Sequence, residues 1–272
     1  MDNRPIGIFD SGVGGLTAVR ALQAAAPNES IVYFGDTARV PYGNRTKEDI
    51  TRLSQQDVRF LRTHGLKAVL VACNTITTSC IDVLSAENSG IPVFGVVESA
   101  AEAAAKATKN KKVGIIATQA TVRSGAYDQR LKHFLPDVQI FTESCPKLVP
   151  LIESGHIHRG DSAIEETAAD YLAPIKSQDV DTMILGCTHF PLIREVVQAY
   201  MGSDLILIDS GGESVKTMLD ALSKTDSLAE KNTVSLKKYF CSARLSDFEK
   251  IAKMFLLEDI HGRATEINIE AF

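Results

Sequence analysis

The clearest pattern in the chain is a series of short apolar runs separated by amphipathic stretches. Two of these runs, residues 67–73 and 181–187, are rich in Val, Ile and Leu, and each ends at a cysteine followed by polar residues. A continuous apolar run of this length is typical of a strand buried on both faces of a parallel sheet. A helical pattern follows each cysteine, over residues 75–84 and 191–200. The chain therefore predicts the order strand, cysteine, helix, twice.

The other apolar runs alternate with amphipathic stretches in the same way. Further strands are predicted at residues 5–9, 30–34, 91–97, 112–117, 138–141, 205–209, 236–241 and 264–269. Further helices are predicted at residues 16–26, 47–64, 98–108, around 127–134, at 149–153, 162–176, and from residues 213 and 246 onward. Strands and helices that alternate at these lengths imply right-handed parallel crossovers.

The repeat of the cysteine-terminated strand predicts an α/β fold of two pseudo-symmetric, doubly wound lobes. Each lobe has a mainly parallel sheet, and the active site lies between the lobes. A length of 272 residues also favours about two domains. We expect residues 1–97 plus 211–272 to form the first lobe and residues 98–210 the second. The tail is assigned to the first lobe because a sheet needs its edges covered.

Composition narrows the class of protein. The net charge is −5, with no long run of either sign, which argues against a nucleic-acid partner or a membrane-binding helix. No apolar stretch is long enough to span a bilayer, and the N-terminus lacks the apolar region of a signal peptide. Five cysteines without disulfide-framework spacing predict reduced thiols in a cytoplasmic protein. The sequence leaves the oligomeric state open, a homodimer included.

Cys73 and Cys187 are the strongest candidates for chemistry. Each would lie at the carboxyl end of a strand, where ligands bind in open α/β sheets, and at a helix N-terminus, which favours a thiolate. An isolated cysteine on an apolar strand is more often a small buried hydrophobe, and we interpret Cys80, Cys145 and Cys241 in that way. Two cysteines in matching contexts instead indicate a symmetric site.

Polar residues follow both cysteines. His189 could activate Cys187 or relay a proton. The two could also bind a metal ion, but the chain has no C-x-x-C pair and a structural zinc site uses four ligands, so we expect no metal. Asn74, Thr75 and Thr188 lie at the same two strand ends, where hydroxyls and backbone N–H groups can hold carboxylates.

A glycine-rich turn, Gly12-Val-Gly14-Gly15, follows the first predicted strand. It lacks the G-x-G-x-x-G spacing of a dinucleotide site because Thr17 occupies the third glycine position. The turn could be a tight strand-to-helix connection, an anion site for a carboxylate or, least favoured, a nucleotide site. Asp10, just before it, could hold an ammonium group or cap the helix.

Taken together, several segments resemble the glutamate racemase family. They are Phe9-Asp-Ser-Gly-Val-Gly-Gly-Leu-Thr17, Asp36-Thr-Ala-Arg-Val-Pro-Tyr-Gly43, Ala72-Cys-Asn-Thr75, Glu143-Ser-Cys-Pro146 with Pro150 and Glu153, and Leu185-Gly-Cys-Thr-His-Phe-Pro191. The match runs in order from the N-terminus to about Gly212, and the tail from about Ser223 carries little of it. Cys-Asn-Thr alone would indicate only the wider aspartate/glutamate racemase superfamily.

The resemblance implies a cofactor-independent isomerase that binds glutamate between two lobes, without pyridoxal phosphate or metal. It also implies that the product D-glutamate feeds peptidoglycan synthesis, and hence cell-wall biogenesis and cell shape. Cys73 and Cys187 become the two acid/base residues. The residues that the resemblance assigns to the substrate are Asp10, Ser11, Tyr42, Gly43, Asn74, Thr75, Thr118, Thr121, Thr188 and His189.

The chemistry of racemisation agrees with the paired thiols. Inverting a stereocentre by proton transfer needs a base on one face of Cα and an acid on the other, and two thiols on opposing lobes supply both. Two alternatives remain. The same fold and thiols could act on aspartate or another acid, or the chain could be a two-lobed protein that binds an amino acid without chemistry. The paired thiols and the lack of a signal peptide count against the binding protein.

Overall fold

The computed structural model describes residues 1–272, and its strands form two parallel sheets. The strands are β1 (Ile6–Asp10), β2 (Ile31–Gly35), β3 (Ala68–Val71), β4 (Val93–Gly95), β5 (Lys112–Ala117), β6 (Gln139–Ser144), β7 (Thr182–Gly186), β8 (Ile206–Asp209), β9 (Lys237–Cys241) and β10 (Ala264–Glu266). The first sheet has the order β10-β9-β2-β1-β3-β4 and the second β6-β5-β7-β8. Every pairing is parallel. The prediction of an α/β fold with two mainly parallel sheets is confirmed.

Helices connect the strands throughout. They are α1 (Leu16–Ala25), α2 (Lys47–Arg62), α3 (Asn74–Glu87), α4 (Val97–Ala107), α5 (Gln119–Ser124), α6 (Ala126–Phe134), α7 (Leu148–Glu153), α8 (Ser162–Lys176), α9 (Arg194–Met201), α10 (Ser210–Lys224) and α11 (Leu245–Leu256). Short 3₁₀ helices cover Tyr42–Asn44, Phe190–Ile193 and Ile269–Ala271. None of the helices combines the length and the apolarity that crossing a membrane requires.

The central strands carry the residues of interest to one edge of the first sheet. Every residue of β1 and β3 is buried, as the continuous apolar runs predict for strands covered on both faces. The two strands are hydrogen-bonded in parallel, with Phe9 opposite Val71. Asp10 and Cys73 therefore come to the same carboxyl edge, where open α/β sheets bind ligands.

The C-terminal tail completes the first sheet. β9 pairs with β2, with Tyr33 opposite Tyr239, and β10 pairs with β9. The helix α10, which precedes this tail, contacts β3 and β4 of the first sheet as well as β7 and β8 of the second. The division between the lobes at residue 211 therefore stays a prediction.

Two helix starts differ from the sequence pattern. The helix predicted from residue 191 begins instead as the 3₁₀ turn Phe190–Ile193, and α9 starts only at Arg194. Hydrogen bonds between residues three positions apart make this turn 3₁₀. Phe190 N–H donates to the Cys187 carbonyl, and Leu192 N–H donates to the His189 carbonyl.

The second difference is at α10, which begins three residues before the predicted start at residue 213. Asp209 caps it, since its carboxylate accepts the Gly211 N–H at 3.0 Å.

A buried ion pair joins the start of β3 to the segment before β2. Lys67 Nζ lies 2.6 Å from Glu29 Oε2, and both side chains are almost fully buried. The same ammonium donates to the backbone carbonyls of Asp2 and Ser227. Breaking a buried pair leaves an uncompensated charge, so we expect Lys67→Met to lower the free energy of unfolding by about 3–5 kcal/mol. Urea unfolding followed by circular dichroism measures the change.

The matched control is Lys106→Met, which removes an exposed pair with Glu102 at 2.6 Å. An exposed pair contributes about 0–1 kcal/mol, so this variant should unfold close to the parent midpoint. Equal losses in the two variants would contradict the role assigned to the buried pair.

Candidate active site

The carboxyl ends of strands from both sheets meet at one cavity of about 430 Å³. All the residues expected at the site except Thr121 line this cavity: Asp10, Ser11, Tyr42, Gly43, Cys73, Asn74, Thr75, Thr118, Cys187, Thr188 and His189. Neither lysine nor arginine lines it. An anionic ligand held here would therefore be bound by His189, neutral hydrogen-bond donors and helix dipoles.

Cys73 enters the cavity from the first sheet. It follows β3 and is the N-cap residue of α3. Its Sγ lies 3.5 Å from the hydroxyl oxygen of Ser11. Burial raises the pKa of Cys73 to about 12, and the nearby Asp10 carboxylate adds to this, while the bond with Ser11 opposes it. Cys73 is therefore a neutral thiol near pH 7.

Asp10 lies at the end of β1 beside this thiol, and it is 2% exposed. Its Oδ2 accepts the N–H of Gly12 at 3.0 Å, which holds the glycine-rich turn. Its Oδ1 is buried without a hydrogen-bond partner. Burial raises the pKa of Asp10 above its usual value, and the charge of His189 partly opposes this rise. A ligand ammonium group would satisfy the unpaired oxygen.

Cys187 enters the cavity from the second sheet, directly after β7. Its Sγ lies 3.8 Å from His189 Nδ1, and His189 Nε2 lies 2.8 Å from Glu153 Oε1. Burial alone would lower the pKa of His189, but the hydrogen bonds with Cys187 and Glu153 outweigh it and raise the pKa to about 10. The imidazolium therefore persists at neutral pH, 3.8 Å from the Cys187 sulfur.

The glycine-rich turn needs glycine because residues of the second lobe pack closely against it. A Cβ atom on Gly14 would lie 2.1 Å from Thr188 Oγ1 and 2.6 Å from the His189 ring, so only glycine fits. Thr17, at the third position of the incomplete nucleotide motif, has its hydroxyl oxygen 2.9 Å from both the Gly14 and the Thr188 carbonyl oxygens, and its one hydrogen can be donated to either. The structure thus favours the tight turn among the three interpretations.

Tyr42 anchors a loop that forms one wall of the cavity. Its hydroxyl donates to Asp36 Oδ2 at 2.5 Å and lies 3.3 Å from Asp57 Oδ2. Arg39 binds the same two carboxylates at 2.6 and 2.8 Å. Burial among these carboxylates raises the pKa of Tyr42, so the hydroxyl stays neutral. It holds the loop in place and is not free to bind a ligand.

Thr118 and Thr121, both expected at the substrate, lie in different positions relative to the cavity. Thr118 Oγ1 lies 3.1 Å from Thr75 Oγ1 of the other lobe and caps α5, a helix that the sequence pattern did not predict. Thr121 lies behind it, 2% exposed, and its hydroxyl accepts from Thr118 at 3.0 Å. Thr121 therefore contacts the cavity wall and does not line the cavity.

Cys145 lines the cavity as a third thiol. We interpreted it as a buried hydrophobe, and it is indeed only 1% exposed and packs in the largest hydrophobic cluster. Burial and the Glu143 carboxylate raise its pKa, so it is a neutral thiol. No cluster of three or more His, Cys, Asp and Glu side chains is arranged to hold a metal ion.

Comparison with known proteins identifies the family. Residues 16–218 match the family model described as Asp/Glu/Hydantoin racemase. The chain belongs to this racemase family. Racemases are isomerases, so the chain is an enzyme of that class, and the resemblance to glutamate racemase is confirmed by the relatives.

Members of this racemase family match the chain over its whole length. Glutamate racemase from Pediococcus pentosaceus is 40% identical over 99% of this chain and 100% of its own length. Among solved structures, the glutamate racemase isoform RacE1 from Bacillus anthracis has a TM-score of 0.91 at 33% identity and covers 98% of both chains. Glutamate racemase from Francisella tularensis, in complex with D-glutamate, has a TM-score of 0.91 at 31% identity and covers 100% of both chains.

Sequence reasoning missed one partner at the candidate site. Glu153 was part of a matching segment but had no assigned role, and it proves to be the carboxylate bound to His189. It reaches the histidine from α7, 36 residues earlier in the chain. The only sequence signal was its presence in the segment that resembles the family.

Proposed function

We propose that this chain interconverts L-glutamate and D-glutamate, with Cys73 and Cys187 as the two acid/base residues. The observation that carries the proposal is that the two thiols line one cavity from strands of different sheets. The named activity of the relatives supports glutamate as the substrate, as does the neighbouring structure that holds D-glutamate.

The surroundings of the two cysteines suit a two-base reaction. In the proposed reaction from one enantiomer the Cys73 thiol is the acid, and Cys187, beside the His189 imidazolium, acts as the thiolate base. The thiolate removes the Cα proton on one face, so that a Cα–H bond breaks and an S–H bond forms. The Cys73 thiol then gives its proton to the other face of Cα. The opposite enantiomer reacts with the two roles exchanged.

Charge that develops on the substrate must be stabilised, because the α-proton is far less acidic than a thiol. The N-terminus of α3, which Cys73 caps, directs backbone N–H groups and a positive dipole end toward the cavity. Only this α-helix begins directly at a catalytic cysteine, since a 3₁₀ turn follows Cys187. The helical segment after Cys187 begins as this 3₁₀ turn instead of an α-helix, and His189 supplies positive charge on the second side.

The remaining assignments extend this proposal to the substrate contacts. Asp10 Oδ1 holds the ammonium group. The carboxylates bind to neutral donors at the two strand ends and the adjoining loops: Ser11, the backbone around Tyr42 and Gly43, Asn74, Thr75, Thr118 and Thr188. Thr121 acts through Thr118.

The proposal also covers the role of the enzyme in the cell. The two lobes, residues 1–97 plus 211–272 and residues 98–210, act as domains that enclose glutamate. The reaction supplies D-glutamate for peptidoglycan in a bacterial cytoplasm, without a nucleic-acid or membrane partner. The resemblance to the glutamate racemase family supports the metabolic role, and the charge pattern supports the absence of those two partners.

The direct test is optical. Purified protein incubated with L-glutamate, and separately with D-glutamate, should bring both solutions to the same racemic end point in polarimetry or circular dichroism. Aspartate and other amino acids serve as the comparison panel. Turnover of aspartate but not glutamate would move the assignment to another substrate, and binding without turnover would indicate the two-lobed binding protein.

A second prediction concerns cofactors. Activity should persist after dialysis against a strong chelator and without added nucleotide or pyridoxal phosphate, because both proposed acid/base groups belong to the chain itself. Mild oxidation with hydrogen peroxide should instead inactivate the enzyme, and dithiothreitol should restore it, because a thiolate base is open to reversible oxidation.

The control for this treatment is a sample dialysed against plain buffer. Loss of activity with chelator, followed by recovery with zinc, would contradict the prediction and would assign Cys187 and His189 to a metal site.

A further inference from the structure

A buried chain of hydrogen bonds crosses from one lobe to the other behind the cavity wall. The Tyr127 hydroxyl and Asn74 Oδ1 are 2.6 Å apart, and Asn74 Nδ2 and Ser210 Oγ are 3.2 Å apart. Ser210 Oγ in turn donates to the Leu185 carbonyl at 3.0 Å. Asn74, Tyr127 and Ser210 are each at most 3% exposed. This series of hydrogen bonds thus joins the start of α3 to α6, α10 and β7.

The last hydrogen bond of this series, from Ser210 to the Leu185 carbonyl, fixes which group donates in each of the others. A carbonyl oxygen can only accept, so the single hydroxyl hydrogen of Ser210 is committed to Leu185. Ser210 Oγ must then accept from Asn74, which places Nδ2 on that side and Oδ1 on the side of Tyr127. Tyr127 therefore donates. Burial raises the pKa of Tyr127, so the hydroxyl keeps the proton that this bond requires.

One hydrogen of Asn74 is left over. An amide nitrogen carries two hydrogens, and Ser210 takes only one of them. Asn74 lines the cavity, whereas Tyr127 and Ser210 do not. The cavity has no lysine or arginine in its lining, so neutral donors such as this N–H add to the charge of His189 in binding a carboxylate.

We infer that Tyr127 and Ser210 are positioning residues that hold the Asn74 amide with an N–H, not its carbonyl, toward a carboxylate of the substrate. The inference rests on the proposed function and deepens it, because it assigns two residues to carboxylate recognition without contact to the substrate. A rotated amide would turn Oδ1 toward the substrate carboxylate and would also set two acceptors against each other at Ser210. The first effect would weaken binding of the anion, and the second disfavours the rotated amide itself.

The test is Tyr127→Phe, which keeps the buried ring and removes only the hydroxyl. A hydrogen bond to a charged group contributes about 1.5–3 kcal/mol, so a misdirected amide should raise KM for glutamate about tenfold or more. The amide binds the carboxylate in the ground state and the transition state alike, so kcat should change by less than about threefold. Ser210→Ala, which removes the other anchor, should shift KM in the same direction.

The matched control is Tyr239→Phe. Tyr239 is also a buried tyrosine, and its hydroxyl accepts from Gln23 at 3.2 Å, but it lies in the first sheet away from the cavity. Its loss should leave KM within about twofold of the parent value. A KM rise of similar size in this control would show a general effect of losing a buried hydroxyl and would overturn the inference.

A double-mutant cycle separates positioning from a purely structural role. In an Asn74→Ala background the amide is gone, so Tyr127→Phe should have no further effect on KM. If Tyr127→Phe raised KM by the same factor in the Asn74→Ala background as in the parent, the inference would be overturned. An unchanged KM in both Tyr127→Phe and Ser210→Ala would also overturn it. Failure of the parent enzyme to racemise glutamate would instead overturn the proposed function, so the two failures are distinguishable.

Discussion

Replacing either Cys73 or Cys187 by alanine should slow glutamate racemisation in both directions by about a thousandfold or more. Each thiol is the only group proposed to carry a proton on its own face of Cα. Losing one removes the base for one enantiomer and the acid for the other. Net inversion therefore needs both, and the double variant should be scarcely worse than either single one. Initial rates by circular dichroism, from each enantiomer, measure the effect.

The fold should survive both substitutions. The two cysteines are 7% and 5% exposed, and alanine removes a single sulfur, so we expect the free energy of unfolding to fall by about 1–2 kcal/mol. The matched control is Cys241→Ala, a fully buried thiol on β9 in the first sheet. It should lose a similar amount of stability and keep its activity. Near-parent activity in Cys73→Ala or Cys187→Ala, with an intact spectrum, would refute the two-thiol assignment.

The elements that place these thiols could be predicted because their signal is local and strong. The apolar runs before Cys73 and Cys187 match β3 and β7, which are buried throughout. Parallel strands present their carboxyl ends at one edge, so residues after such strands converge whatever the rest of the chain does.

Helix starts were predicted less well because capping interactions decide them within one or two residues. A run of Ser-Gly-Gly after β8 has the composition of a loop, yet the Asp209 carboxylate caps it and α10 begins at Ser210. After Cys187 the helical pattern over residues 191–200 favoured an α-helix, but the first turn closes with 3₁₀ bonds. Composition alone does not distinguish these outcomes.

The partners of the site residues could not be derived from periodicity. Glu153 meets His189 across 36 positions, and Tyr127 meets Asn74 across 53. Neither pair repeats with a helical or strand period, and each depends on how elements of different lobes or loops approach one another. The sequence could name the strand ends that form the site, but not the side chains that orient their residues from behind.

The C-terminal tail is a part of the fold for which the sequence has little local signal. β9 and β10 are short strands, and most of their residues are partly exposed. Their place at the edge of the first sheet was predicted from the general need to cover a sheet edge and not from a motif. The pairing of β9 with β2 supplies that cover.

The second large expected effect is the incorporation of solvent deuterium at Cα of the product. Cys73 follows a strand of one sheet and Cys187 a strand of the other, so in the proposed mechanism the group that removes the Cα proton is not the group that returns one. A thiol proton exchanges with solvent before or between turnovers. In deuterated water, nearly all of the newly formed enantiomer should therefore carry deuterium at Cα from the first turnovers, while unreacted substrate stays protiated.

Chiral separation followed by mass spectrometry of early time points, run from L-glutamate and from D-glutamate, measures this labelling. The mirror control is Cα-deuterated glutamate in ordinary water, whose product should lose the label. A single base that moved between the two faces would carry some of the original hydrogen into the product. Product that is largely protiated in deuterated water at low conversion would therefore defeat the two-base mechanism, even if both cysteines proved essential, because essential residues can also act by binding. Labelling that is complete from one enantiomer only would show that the two faces do not use equivalent groups.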